Sequence, residues 1–363
     1  MRVALFGDAS FHGKYDISKS SDAIGYFETV QDISKSCDFS ILNLESPLTE
    51  RTHTMVCKGA YLRSSIKTAG LLREIGITHV SLANNHIFDY GEHGAEDTMR
   101  ALKDERIGFF GLGDGPIELQ LGIDKVLLDG FCCYSANGVF YGHSKGKTNL
   151  LTPETLFAFA EKAYMKHCLP IASVHFGIER LHAPSIEHLR LFRSLADKYP
   201  YVLDGNHPHV MQGYENRKGS MLFYAHGNLC FDDVSSTSVG RSIVQSEETR
   251  KSYAAILTIE GNRVIGTEII TLKANASGSI NKVPETISEL EEYCRLLEES
   301  ETAIEELRAK EQKLAGNSVE RRGAGFYFNR LNYKYIGAYM NGKLHARAYH
   351  RIMNDYFTKV PKK

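Results

Sequence analysis

Up to about residue 272 the chain alternates short apolar, β-branched runs with longer stretches of helical period. The runs at 3–6, 39–44, 79–83, 109–112, 125–128, 131–135, 171–174, 201–203, 221–224, 254–259 and 263–272 have strand length and composition. Apolar positions at helical spacing predict helices over 21–35, 64–75, 93–104, 153–166 and 185–198. Thr152 followed by Pro153 reads as an N-cap with proline in the first turn, and Ile75-Gly76 as a helix stop. Repeated strand–helix alternation predicts α/β layers with parallel strands. The closer spacing of the last strands predicts an antiparallel portion.

The pattern changes over 275–284, a stretch with Ser, Gly and Asn, read here as a boundary between a domain over 1–275 and a mostly helical extension over 285–363. Residues 286–314 are acidic, with Ile287, Leu290, Cys294, Leu297 and Ile304 near heptad spacing and Glu301 interrupting the stripe. The tail beyond Gly316 is basic and aromatic, running through Arg321, Arg322, Phe326, Tyr327, Phe328, Arg330, Tyr339, Lys343, Arg347, Tyr349, Arg351, Tyr356 and Phe357. Two readings fit it. One is a surface for an anionic polymer or nucleic acid. The other is a helical cap whose aromatics pack on the main domain and whose basic residues face the acidic helix. Aromatics at mixed spacing favour the cap.

Composition narrows the class. The 363 residues suit one large domain with an appendage, or two ordinary domains, and 42% hydrophobic residues supply a sizeable core. A formal net charge of −1 excludes a molecule that holds nucleic acid by bulk charge. The seven cysteines are scattered, odd in number and without a C-x-x-C pair, which indicates buried thiols in a reducing compartment. The apolar run after Met1 is too short for a signal-peptide core, and no apolar stretch approaches the ~20 residues of a membrane helix. The expected location is the cytoplasm.

Five apolar runs end in metal-type ligands: Asp8, Glu45 with Asn43 two before it, Asn85-His86, His175, and His207-Pro208-His209. Sites in open α/β sheets form beyond the carboxyl ends of strands, so five such ends can share one crevice. Taken singly, Asp8 or Asn84-Asn85 reads as a turn. Taken together, imidazole, carboxylate and amide oxygen suit one or two divalent ions such as Mn²⁺, Fe²⁺ or Zn²⁺. Pro208 restricts the backbone between the two histidines.

The succession Gly7-Asp8, Asn43-Leu44-Glu45, Leu82-Ala83-Asn84-Asn85-His86 with Asp89-Tyr90-Gly91, His175-Phe176-Gly177 with Glu179, His207-Pro208-His209-Val210, and Gly227-Asn228 with Phe231-Asp232 resembles the CapA-type capsule synthesis family, named for poly-γ-glutamate capsule production. The resemblance runs to about Leu272 and implies a metallophosphatase-like β-sandwich flanked by helices. It implies Asp8, Glu45, Asn85, His175, His207 and His209 as metal ligands, with Glu45 the bridge. It implies His86 as the catalytic acid, and Asn43, Glu179 and Asn228 as outer or substrate contacts. The chain departs from the wider metallophosphoesterase pattern at Ser10, where a histidine is usual, and in using Glu45 for the usual aspartate. Phe176 stands where the family often has tryptophan, and His226 is an added ligand or an ordinary strand-end residue. The implied function is a metal-dependent hydrolase of phosphoester type, acting on an anionic small molecule or polymer beside polymer-synthesis machinery. The alternatives are a non-catalytic scaffold holding an anionic chain and an enzyme of γ-glutamyl amide bonds.

Overall fold

Burial of period two builds two stacked sheets. In β1 (Arg2–Ala9), Val3 and Leu5 enter one hydrophobic cluster while Ala4 and Phe6 enter another. The computed structural model describes residues 1–19, 21–54, 60–134, 148–236, 241–317 and 333–359. In the first sheet β1 is followed by β2 (Phe39–Leu44), β3 (His79–Ser81) and β4 (Gly108–Phe110), all parallel. On its other side lie β14 (Lys251–Glu260), β15 (Arg263–Ala274) and β16 (Ile280–Lys282), antiparallel as their spacing predicts. The second sheet has β6 (Asp124–Cys132), β7 (Leu169–His175), β8 (Val202–Asn206) and β10 (Ser220–Phe223) in parallel. Its antiparallel edges are β5 (Ile117–Leu121) and β9 (Tyr214–Arg217). Short β11 (Asn228–Cys230) pairs with β1, and β12 (Val234–Ser236) with β13 (Arg241–Ile243).

Three hydrophobic layers hold these sheets. Leu5, Ile41, Phe223 and Tyr253, all fully buried, lie in the layer between them, each side chain of this size contributing about 1.5–3 kcal/mol. Helices α1 (Glu28–Lys35), α2 (Thr68–Glu74) and α3 (Gly91–Asp104) cover the outer face of the first sheet through Val30, Leu71 and Leu102. Helices α4 (Pro153–Met165) and α5 (Ile186–Lys198) cover the second through Phe159 and Phe192. The Thr152 side chain caps α4, with Pro153 in its first turn. This is the α/β sandwich the sequence predicts.

Some elements differ from expectation. The runs at 125–128 and 131–135 are one strand, β6, paired without a break from Val126 to Cys132 along β7, and Ser135 lies outside the described residues. Gly130, between those two runs, is where the two sheets approach: a Cβ there would stand 2.9 Å from that of Ala83. The helix expected over 21–35 begins as a 3-10 segment, Ser21–Phe27, and is α-helical only from Glu28.

In the extension, α6 (Ile287–Leu296) and α7 (Glu301–Asn317) are separate helices, so the heptad stripe is not one coiled coil. Its residues pack on the sandwich instead. Leu290 enters the central layer, and Leu297 and Ile304 enter the layer outside the second sheet. Gly213 has no room for a side chain, because a Cβ would lie 2.3 Å from the Tyr293 carbonyl oxygen. From α8 (Tyr333–Lys359), Tyr349 and Met353 are buried in that same outer layer, with Tyr356 and Phe357 against it. The acidic residues meet main-domain cations, Glu301 pairing with Arg190 and Glu289 with Lys251. Arg321, Arg322, Phe326, Tyr327, Phe328 and Arg330 lie outside the described residues.

His188 on α5 ties this layer to solution pH. Its ring packs on Phe176 and Phe192, and burial first, then the Arg308 charge, push its pKa down from 6.5 to about 3. The folded ring stays neutral where the unfolded one takes a proton. Its stabilising contribution is therefore complete above pH 6.5 and is lost as pH falls towards 3. The slope from this residue is about 1.4 kcal/mol per pH unit. Denaturant midpoints measured from pH 7 to pH 4 should fall, and fall less steeply in His188→Phe. An unchanged slope in that variant would remove His188 from the account.

Candidate metal centre

The carboxyl ends of both sheets deliver the site. Asp8 of β1 is paired in register with Asn43 of β2, and Glu45 follows two residues on. Gly7 is required where the chain at Gly227 crosses: a Cβ there would lie 1.9 Å from the Gly227 carbonyl oxygen, which accepts a bond from Asp8 N at 3.0 Å. Asn84, just past β3, fastens the next loop. Its Nδ2 donates to the Leu44 carbonyl at 2.8 Å, and its Oδ1 accepts from His86 N and Ile87 N. His175 is the last residue of β7, and His207 follows the last residue of β8.

His207 and His209 adopt φ of 100° and 59°, a left-handed backbone that costs a non-glycine residue on the order of 1–3 kcal/mol. Fixed partners hold them there. His207 N donates to Asp8 Oδ2 at 2.9 Å, and Arg180 N to the Pro208 carbonyl at 2.7 Å. His207, at φ 100°, lies furthest from the ordinary left-handed value among the described non-glycine residues with positive φ.

Two ligand groups result, and they share Glu45. Glu45, His175 and His207 form one; Asp8, Glu45 and His209 form the other, with ligand atoms within 4.8 Å of one another in each. His175 Nε2 lies 3.0 Å from His207 Nδ1, 3.1 Å from Asn85 Oδ1 and 3.6 Å from Glu45 Oε1. His209 Nε2 lies 3.6 Å from the same Glu45 oxygen. The Asn228 amide decides the His209 tautomer. Its Nδ2 donates to the Thr249 carbonyl at 3.0 Å, so its Oδ1 accepts from His209 Nδ1 at 2.9 Å, leaving Nε2 to face Glu45. Asn43 Nδ2 donates to Asp8 Oδ1 at 2.7 Å.

Burial and close charges act in opposite senses on Asp8 and on His209. Burial raises the Asp8 carboxyl above its ordinary range, against the opposing His209 charge. At His209 burial works against the charged ring, but Glu45, Asp8 and Glu179 outweigh it and push the pKa up to about 9. Two buried carboxylates, three imidazoles and an amide oxygen, without a thiolate, fit a borderline or hard divalent ion.

The other expected residues stand around this core. His86 Nδ1 donates to Asp89 Oδ2 at 2.7 Å, and that oxygen also accepts from Leu62 N at 2.8 Å, so the ring is held by a fully buried carboxylate. Glu179 is exposed. Lost solvation disfavours its anion, but the charges of His209, His207 and His86 outweigh that and bring its pKa down. His12 bonds Ser10 Oγ at 2.8 Å and the Asp232 carbonyl at 3.1 Å. His226 belongs to neither ligand group. Its Nδ1 donates to the Tyr253 carbonyl at 3.1 Å, and its Nε2 lies 3.1 Å from Asp204 Oδ1 in a fully buried pair.

Sequence reasoning passed over the supporting roles of Asn84, Asp89 and Asp204. Asp89 had a signal, since its spacing of three from His86 puts it in reach within a single turn. Asp204 and His226 are far apart in sequence, and only the β8–β10 neighbourhood joins them.

The fold is a two-sheet α/β sandwich with helices outside and carboxylates and imidazoles gathered at its strand ends. The chain belongs to the bacterial capsule synthesis protein PGA_cap family, whose model matches residues 2–119 and 142–233. It is 24% identical over 255 residues to the PGA biosynthesis protein CapA of Bacillus subtilis (strain 168), covering 68% of this chain and 67% of that protein. It is 26% identical over 247 residues to the capsule biosynthesis protein CapA of Bacillus anthracis, covering 64% and 60%. A 5′-nucleotidase precursor structure from Thermus thermophilus aligns with a TM-score of 0.43 at 11% identity, over 87% of this chain and 59% of that one. The chain thus spans about two thirds of the length of these relatives, or less. No helix among the described residues is long and apolar enough to cross a membrane.

Proposed function

We propose that this chain is a metal-dependent hydrolase of phosphoester type that serves the synthesis of capsule or a related polymer in the cytoplasm. The observation that carries the reading is the pair of ligand groups joined through Glu45 beside the His86–Asp89 couple. Asp8, Glu45, Asn85, His175, His207 and His209 would hold one or two ions, Mn²⁺, Fe²⁺ or Zn²⁺. When bound, such ions supply Lewis-acid polarisation of a phosphoryl oxygen. Asp89 accepts from His86 Nδ1–H and favours the imidazolium, whose Nε2–H would be the proton given to the leaving oxygen. Asn228 and Asn43 orient His209 and Asp8, and Glu179, whose anion the site histidines favour, would contact substrate. The substrate is an anionic small molecule or polymer, since the centre is built to oppose negative charge. Free cysteines at 37, 132, 133, 168, 230 and 294 accord with a reducing compartment.

A phosphoester panel assayed with added Mn²⁺, on protein whose metal content is known, tests the reading. Turnover that follows metal occupancy supports it. A fully metallated protein that turns over no ester but binds poly-glutamate would replace it with the scaffold role. Release of glutamate from that polymer would replace it with amide chemistry.

A further inference from the structure

We propose that the outward face of α8 docks on an anionic lipid surface. The helix has two unlike sides. Tyr349 and Met353 are sealed into the layer outside the second sheet. On the opposite side Ile336, Met340 and Leu344 are 45%, 59% and 62% exposed, at a spacing of four that sets them in one line along the helix. Exposed Arg347 and Arg351 continue that side. From Arg321 onward the sequence has ten Lys and Arg against one carboxylate side chain, Asp355.

The mixture decides the occupant. A soluble polyanion needs only the cations and gives the apolar line nothing to enter. A second copy of the chain meeting this face would offer its arginines a single carboxylate side chain, Asp355. A lipid surface answers both features: the acyl boundary takes the apolar side chains, and acidic headgroups pair with the arginines. The contact is interfacial, in keeping with the absence of a membrane-crossing helix among the described residues.

The helix is also joined to the strand ends. The Tyr349 hydroxyl lies 3.3 Å from Cys133 Sγ, and Cys133 N donates to the His175 carbonyl at 2.8 Å. Docking through α8 would therefore hold the carboxyl ends of the second sheet on the far side of that helix from the lipid. The inference stands on α8 alone and does not depend on the hydrolase reading.

Co-sedimentation of the full chain with vesicles tests it. Binding is expected to vesicles of phosphatidylcholine with about one third phosphatidylglycerol, weakening with salt, and not to phosphatidylcholine alone. Arg347→Glu with Arg351→Glu should lower the affinity at least about tenfold, at about 1 kcal/mol per basic residue. Met340→Glu with Leu344→Glu should do likewise, on the order of tenfold, by removing apolar insertion. All four side chains are exposed, so thermal melts should match the parent protein. Absent binding, equal binding to neutral vesicles, or variants that bind like the parent would each overturn the proposal. So would a concentration-dependent dimer, or capture of soluble poly-glutamate, that depends on this face while vesicles are ignored.

Discussion

Protein carrying His207→Ala together with His209→Ala should emerge from purification without bound divalent metal and still fold cooperatively. The two substitutions take one imidazole from each ligand group and leave Glu45, which both share. Losing a group that only orients a ligand costs about 10–100-fold in metal affinity. Removing two direct donors should exceed that, taking occupancy from near stoichiometric to background by mass spectrometry. Asn228→Ala is the graded comparison, since it frees the His209 tautomer without removing a donor, and should fall within that 10–100-fold range. The fold should persist because neither histidine belongs to the three hydrophobic layers. The sign of the pH dependence follows from His209. With its pKa pushed up to about 9 by Glu45, Asp8 and Glu179 against burial, the ring must lose a proton to bind an ion. Binding should release protons near neutral pH, and occupancy should fall on acidification. Equal metal content in parent and double variant would refute the ligand assignment.

Much of this architecture is legible in the sequence because burial writes it there. Strands buried on both faces, such as 171–174 and 254–259, read as continuous apolar runs, and their polar endings stand out by contrast. Edge strands do not. β5 buries a single residue, Leu119, and β9 none, so neither shows a run. The convergence of Asp8, Glu45, His175 and His207 follows from a general rule about strand ends, and a sequence can invoke that rule. The sharing of Glu45 by two groups depends on two sheets meeting, which no local pattern records. The same limit applies to the extension. The composition change at 275–284 is plain, but only the fold shows Leu290 under one layer and Tyr349 inside another. His226 illustrates the converse: a histidine at a strand end beside Gly227-Asn228 looks like a ligand, yet it stands outside both ligand groups, its Nδ1 on the Tyr253 carbonyl and its Nε2 3.1 Å from Asp204 Oδ1.

His86→Asn should reduce turnover of an alkyl phosphoester by about 10²–10⁴-fold, the usual contribution of a positioned general acid, while metal content stays near that of the parent protein. The separation of the two readouts follows from geometry. His86 belongs to neither ligand group, and its Nδ1 is engaged by Asp89 at 2.7 Å. Its neighbour Asn85 is the one directed at the centre, with Oδ1 3.1 Å from His175 Nε2, so Asn85→Ala should lower metal occupancy instead. Leaving-group chemistry supplies the internal control. A nitrophenolate departs without a proton, so nitrophenyl esters should partly conceal the His86 defect, and alkyl esters should expose it in full. Asp89→Asn should behave as a milder version of the same lesion, because a neutral amide does not favour the imidazolium that carries the proton. The scaffold alternative expects no turnover from the parent protein on any ester and hence no dependence on leaving-group pKa. Metal loss in His86→Asn would move this residue into the ligand set. Unchanged turnover on alkyl esters would remove it from the chemistry while leaving the fold and the metal groups as described.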